Sequence, residues 1–218
     1  MDLQYFAQEK TEKATPQKRK ESRRKGQVAK SADVNTAFIL LFVFLFLLFA
    51  GGFLRDSLFS ILQISFKENA LMEVTPETVQ TVMTELALLA VKVVAPIFAV
   101  SLAAAIFSNY VQVGFLFSTE PLVMKLERIN PLKGAKRIFS VRALVELLKS
   151  ILKIAFVGLC TFSILWLSKE DVFRLADTSP GESFQLIGSL TVQMGIFTAV
   201  LLLFLSIFDY VYQKYDFE

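Results

Sequence analysis

Residues 34–54, "VNTAFILLFVFLFLLFAGGFL", carry no charged side chain. Wound as a helix at about 1.5 Å per residue, the run covers a hydrocarbon core of roughly 30 Å, so the chain must place it in a membrane. More than thirty largely polar residues precede the run, an order unlike a cleaved secretion signal, and it is read as a retained span. The remainder agrees: 54% of the 218 residues are hydrophobic and 22 are Phe, the balance of a multi-pass membrane protein.

Three further spans are read at Glu85–Phe107, Val141–Leu167 and Phe184–Phe208, the last again uncharged. Cytoplasmic flanks retain Lys and Arg, and these are unevenly spread. Residues 1–33 hold nine, residues 108–143 hold six, and the other two connections hold two each. The expected fold is therefore an all-α membrane protein with both termini cytoplasmic. Four long helices form two hairpins, 34–107 and 144–208, joined by a basic amphipathic cytoplasmic loop at 108–143.

Composition also narrows the chemistry. There is no histidine and a single cysteine, Cys160, within an apolar run. The commonest general base and zinc ligand is absent, and no intrachain disulfide is possible. No catalytic residue, metal site or cofactor is expected.

The second and third spans carry charges. Lys92 stands one turn before Pro96, which removes a backbone donor and is expected to kink its helix. Glu146, Lys149 and Lys153 stand near the start of the third span, leaving only 154–167 uncharged, shorter than a free span requires. Two readings stand: the lysines snorkel to headgroups with Glu146 beside Lys149, or protein covers them, as for most ionisable groups in membranes. Asp209, at the inner end of the fourth span, is expected to pair with Lys149 or Lys153. Gln193 is a mid-span amide that seeks an interhelical partner. Gly51 and Gly52 are expected to end or loosen the first helix, Trp166 to anchor at the outer interface, and Tyr210 and Tyr212 to sit in an inner aromatic belt.

The cytoplasmic segments are built differently. In "EKTEKATPQKRKESRRKGQVAKS" a helix is expected from Pro16 to Lys25, capped by Thr15 and stopped by Gly26, with almost no apolar face. Its contacts are anionic lipid, an acidic protein surface or water. Nucleic acid is not expected, because no aromatic residues interleave the charges. In the middle loop Leu122, Leu126 and Ile129 recur at helical spacing until Pro131, after which Leu132, Ala135, Ile138 and Phe139 form a second apolar stripe. Lys133, Lys136 and Arg137 lie on other faces, and Ser140 is placed to cap the third span. A loop of 36 residues is far longer than neighbouring antiparallel helices need, so it is expected to lie on a partner.

The 23-residue basic segment, together with "VQVGFLFSTEPLVMKLERINPLKGAKRIFS", resembles the membrane half of the FlhB/YscU/SpaS family of type III export-gate proteins. The resemblance implies a non-enzymatic subunit of the bacterial inner-membrane flagellar export apparatus. Its hairpins would pack on a gate of FliP, FliQ and FliR, with the loop around the closed entrance, and it would work with FlhA, a cytoplasmic export ATPase and exported flagellar subunits. The loop motif carried over is Gln112, Gly114, Asn130, Pro131, Gly134, Lys136, Arg137, Phe139 and Ser140. The opening "MDLQYFAQEKTEKATP" looks more like flagellar members from Gram-positive bacteria than injectisome ones. The family's self-cleaving Asn-Pro-Thr-His motif is absent: Asn130-Pro131 is followed by Leu132-Lys133. Residues 209–218 resemble the start of the linker to that missing cytoplasmic domain.

Leu132, Ile138 and Phe139 would dock, Pro131 and Gly134 bend the loop, and Lys136 and Arg137 orient it. Two other classes are weighed against this reading. One is a secondary transporter using Lys92, Pro96 and the charged start of the third span as an ion path. The other is a scaffold binding anionic lipid.

Overall fold

A computed structural model describes residues 15–116, 118 and 141–217; for 68, 70, 141, 142 and 215–217 it describes the backbone alone. Most of the described residues are helical, with no strand among them. Helix α1 is Pro16–Arg24, α2 Ala32–Gln63, α3 Pro76–Val113, α4 Val141–Leu167, α5 Lys169–Arg174 and α6 Pro180–Phe217. α2, α3, α4 and α6 are each long and apolar enough to cross a membrane.

Three of these helices run well past the expected spans. α2 passes through Gly51 and Gly52 without a break, correcting the expected end there. Each glycine costs about 1 kcal/mol in a helix, but surroundings that offer no other hydrogen-bond partner favour an unbroken ladder. α3 begins at Pro76 rather than Glu85: Thr75 Oγ1 accepts from Thr78 N at 3.2 Å and Thr78 Oγ1 from Thr75 N at 2.9 Å. α6 begins at Pro180 rather than Phe184, with Ser179 N donating to Glu182 Oε2 at 3.0 Å and Glu182 N to Ser179 Oγ at 3.4 Å. Pro16 likewise opens α1, where Thr15 Oγ1 accepts from Lys18 N at 3.4 Å. A hydroxyl cap followed by proline thus starts three helices, because the cap satisfies exposed N–H groups and proline has none to lose. Apolar windows marked only the middle of each helix. α4 keeps its expected bounds.

α2 packs antiparallel against α3 on one side and α6 on the other, and α4 packs on α6. The hairpins α2–α3 and α4–α6 therefore meet through α2 and α6. Among the described residues the largest fully buried side chains are three serines, Ser31, Ser108 and Ser206, joined by Ala37, Ala104 and Ala199. Small residues let backbones approach, the usual basis of helix association where lipid is as apolar as leucine. Phe38 and Phe42 flank Phe107, with ring centroids 6.1 Å from it. Phe59 meets Phe184 edge-on at 5.6 Å.

Most of the apolar surface faces outward. Phe49 is 84% exposed, and no residue in the most apolar window of α4 is buried. Lipid or other protein must cover such a surface.

Candidate functional site

Contacts of Gln112 and Asn109 organise the end of the bundle where α2 and α4 begin and α3 and α6 finish. Ser31 caps α2, its Oγ accepting from Val34 N at 3.4 Å, and its own N–H donates to Gln112 Oε1 at 2.8 Å. Gln112 Nε2 donates to Ser108 Oγ at 3.4 Å, while the Gln112 carbonyl accepts from the Tyr210 hydroxyl at 3.3 Å. Gln112 thereby joins α2, α3 and α6. Asn109 Nδ2 donates to Asn35 Oδ1 at 3.3 Å and sets the level of α3 against α2. The Tyr210 hydroxyl is thus spent on an internal bond.

Beside this lies a ladder of alternating charges. Lys149 and Lys153, one turn apart, share a face of α4. Lys149 Nζ donates to Asp209 Oδ1 at 2.8 Å and lies 4.2 Å from the Tyr212 ring centroid. Lys153 Nζ pairs with Asp33 on the first turn of α2 and stands 4.0 Å from Asp209 Oδ2. Gln213 Nε2 donates to Asp209 Oδ2 at 3.1 Å. The order Asp33, Lys153, Asp209, Lys149 balances two cations with two anions across three helices. Asp209 is only 9% exposed, which makes the pairing matter more than at an open surface.

This arrangement explains the short uncharged part of α4. Its lysines turn inward to carboxylates of the same chain, so the expected pairing of Asp209 is present and neither lysine stands bare in lipid. Glu146 stays exposed, its carbonyl accepting from Ser150 Oγ at 2.9 Å. Asp33 joins this ladder from a position that, in the sequence, belongs with the polar N-terminal segment. The available signal was a carboxylate directly before the uncharged run.

The exit of α3 is pinned by α1. Arg23 Nη2 donates to the Val113 carbonyl at 2.8 Å, placing a cation where helix carbonyls are unsatisfied. Gly114 has φ +73° and ψ −166°, and a Cβ there would stand 3.2 Å from Arg23 Nη2. Ser118 Oγ donates to the Arg24 carbonyl at 3.0 Å.

The other expected residues lie apart. Lys92 is exposed, with no ion pair among the described residues. Counted along α3 from the Asn109 level it stands about 25 Å up, roughly one turn short of the level of Arg55 on α2. It is therefore near the opposite interface, in snorkelling range. Gln193 is exposed on α6, and its side chain has no hydrogen bond among the described residues. Trp166 is 60% exposed beside Lys169, whose Nζ lies 5.1 Å from its ring centroid. Leu122, Leu126, Asn130, Pro131, Leu132, Gly134, Lys136, Arg137, Ile138, Phe139 and Ser140 lie outside the described residues. Gln112 and Gly114 are the loop-motif residues within them.

Residues 8–218 match the family described as FlhB HrpN YscU SpaS. The chain belongs to this family. FlhB-family relatives include the flagellar biosynthetic protein FlhB of Bacillus subtilis, 49% identical over 218 residues, or 100% of this chain and 61% of that protein. Yop proteins translocation protein U of Yersinia pestis is 31% identical over 211 residues, 96% of this chain and 58% of that protein. Hypersensitivity response secretion protein HrcU of Ralstonia nicotianae is 30% identical over 161 residues, 74% of this chain and 44% of that protein. The chain spans at most about three-fifths of the length of these FlhB-family relatives.

One prediction arises at the junction itself. Gln112→Leu removes the acceptor of the buried Ser31 N–H and should cost about 1–3 kcal/mol, read as a lower thermal unfolding midpoint in detergent. Gln112→Glu keeps an acceptor for that N–H, and the Ser108 hydroxyl can turn to donate to the carboxylate, so it should cost less even with the added charge. Equal midpoints for the two variants would show that the Ser31 contact contributes nothing.

Proposed function

We propose that this chain is a membrane subunit of a flagellar-type III protein-export apparatus in the bacterial inner membrane. In this reading the charged end faces the cytoplasm with both termini, and the exposed helix flanks pack on FliP, FliQ and FliR. Residues 119–140 close or regulate the cytoplasmic entrance of that gate, in concert with FlhA and, indirectly, the export ATPase. The family match across residues 8–218 carries the reading. Its identity to a flagellar relative, 49%, against 31% for the Yersinia protein, favours the flagellar branch.

The structure supports it in one respect. Asp33, Lys149, Lys153 and Asp209 are paired with one another within the chain, whereas Phe49, Phe98, Phe162 and Phe204 are left exposed along different helices. Such flanks fit burial against other membrane subunits. A transporter path is not favoured, since Lys92 points outward near one interface and is far from the ladder.

Deleting residues 121–139 while preserving helix insertion should abolish export of flagellar subunits or make the membrane leak ions. Secreted flagellin and ion leakage provide the two readouts. Normal secretion through a tight membrane after the deletion would refute the role given to the loop.

A further inference from the structure

We propose that α1 is a headgroup-binding strap, lying on the membrane surface and binding anionic phospholipid through Lys20 and Arg24. The proposal stands independently of the export reading. Arg23 determines which side of α1 looks at the membrane. Its guanidinium donates to the carbonyl of Val113, the last residue of a helix long and apolar enough to cross a bilayer. The Arg23 side of α1 therefore faces back toward the plane from which α3 emerges.

Helical geometry then sorts the charges. At about 100° per residue, Lys20 stands roughly 60° and Arg24 roughly 100° from Arg23, while Glu21 and Lys25 stand roughly 160° away and Lys18 roughly 140°. The one carboxylate of α1 is turned from the membrane. Lys25 Nζ meets its Oε1 at 2.5 Å, and that ammonium holds the Glu21 carboxyl below the usual carboxylate range, so it stays ionised on the far side. Lys20 and Arg24 are exposed and have no ion pair among the described residues.

A second contact keeps this side in place. Ser118 Oγ bonds the Arg24 carbonyl at 3.0 Å, so α1 is held at two points. α1 has no buried residue and no apolar side to insert, which leaves charge as its means of holding a bilayer. Phosphates are the dense anions at that plane, and an acidic protein would instead have to reach between α1 and the headgroups.

The test uses the full chain with Cys160→Ser and a fluorophore on Gln17→Cys, in nanodiscs of phosphatidylcholine containing a headgroup quencher and increasing phosphatidylglycerol. Quenching should rise with phosphatidylglycerol and fall as salt is added. One surface cation is worth about fivefold in association, so K20Q/R24Q should weaken the response roughly 25-fold. K18Q/K25Q, with the same change in net charge on the far side, should weaken it by less than about fivefold. Equal losses in both double variants would overturn the proposal in favour of bulk charge. So would a response in the unaltered chain that ignores phosphatidylglycerol or salt, the result expected if α1 binds an acidic protein instead.

Discussion

Asp209→Ala should cost about 3 kcal/mol of stability, seen as a lower unfolding midpoint in detergent and as less folded protein in the membrane. The side chain is nearly enclosed, with one ammonium at 2.8 Å and a second at 4.0 Å. Removing it leaves Lys149 and Lys153 facing each other's charge on one side of α4, with only Asp33 remaining. The cost is set near the lower end of the range for buried pairs because Lys149 is still 33% exposed. The charge swap Lys149→Glu with Asp209→Lys tests whether the pair itself matters. It should recover at least about 1 kcal/mol relative to the sum of the single changes, a coupling typical of residues in contact. Recovery is expected to be partial, since Lys153 would then meet a lysine at position 209. A double variant no better than either single change would refute the ladder as a structural unit.

Gly195→Val should be about as damaging, for a steric reason. A Cβ at Gly195 would lie 2.2 Å from Phe44 Cδ1 and Cε1 and 2.4 Å from Cζ, well inside contact distance. Phe44 is half-buried on α2, so its ring cannot leave without parting α2 from α6, the contact that joins the two hairpins. Overpacking of this kind costs about 1–3 kcal/mol, with alanine at the lower end and valine at the upper. The remedy is specific: Phe44→Leu should restore most of the stability lost in Gly195→Ala, measured by the same thermal scans. Additive losses in that double variant would show that the close approach is not what Gly195 provides.

The number of spans, their pairing and the partner of Asp209 were legible because each follows from local pattern. Uncharged runs mark helices, excess lysine and arginine marks one end, and a carboxylate at the right depth seeks a cation. Helix length was not legible from hydropathy, although Thr75-Pro76 and Ser179-Pro180 state it in cap chemistry, as Thr15-Pro16 does for α1. The contact of α2 with α6 lay beyond the reach of the sequence, because Gly195 and Phe44 become neighbours only through the tertiary fold. Asp33 was hidden for a related reason: a lone carboxylate beside a basic segment reads as solvent-facing until Lys153 is placed beside it. The Arg23 contact with Val113 likewise links residues 90 positions apart, and no periodicity announces it.

These features bear on the proposed gate through one strip of chain. Gln112, held by Ser31 and Tyr210, and Val113, held by Arg23, form the root that precedes residues 119–140 in the chain. The docking proposed for the loop would gain from a fixed root, because ordering fewer residues on docking costs less entropy.

The most direct measurement is crosslinking in cells from photoreactive residues at positions 122, 132 and 139, with identification of the captured protein. All three positions should capture the cytoplasmic entrance of the FliP, FliQ and FliR assembly. Capture only of lipid, or of no gate subunit from any of the three while export proceeds normally, would contradict the role given to the loop.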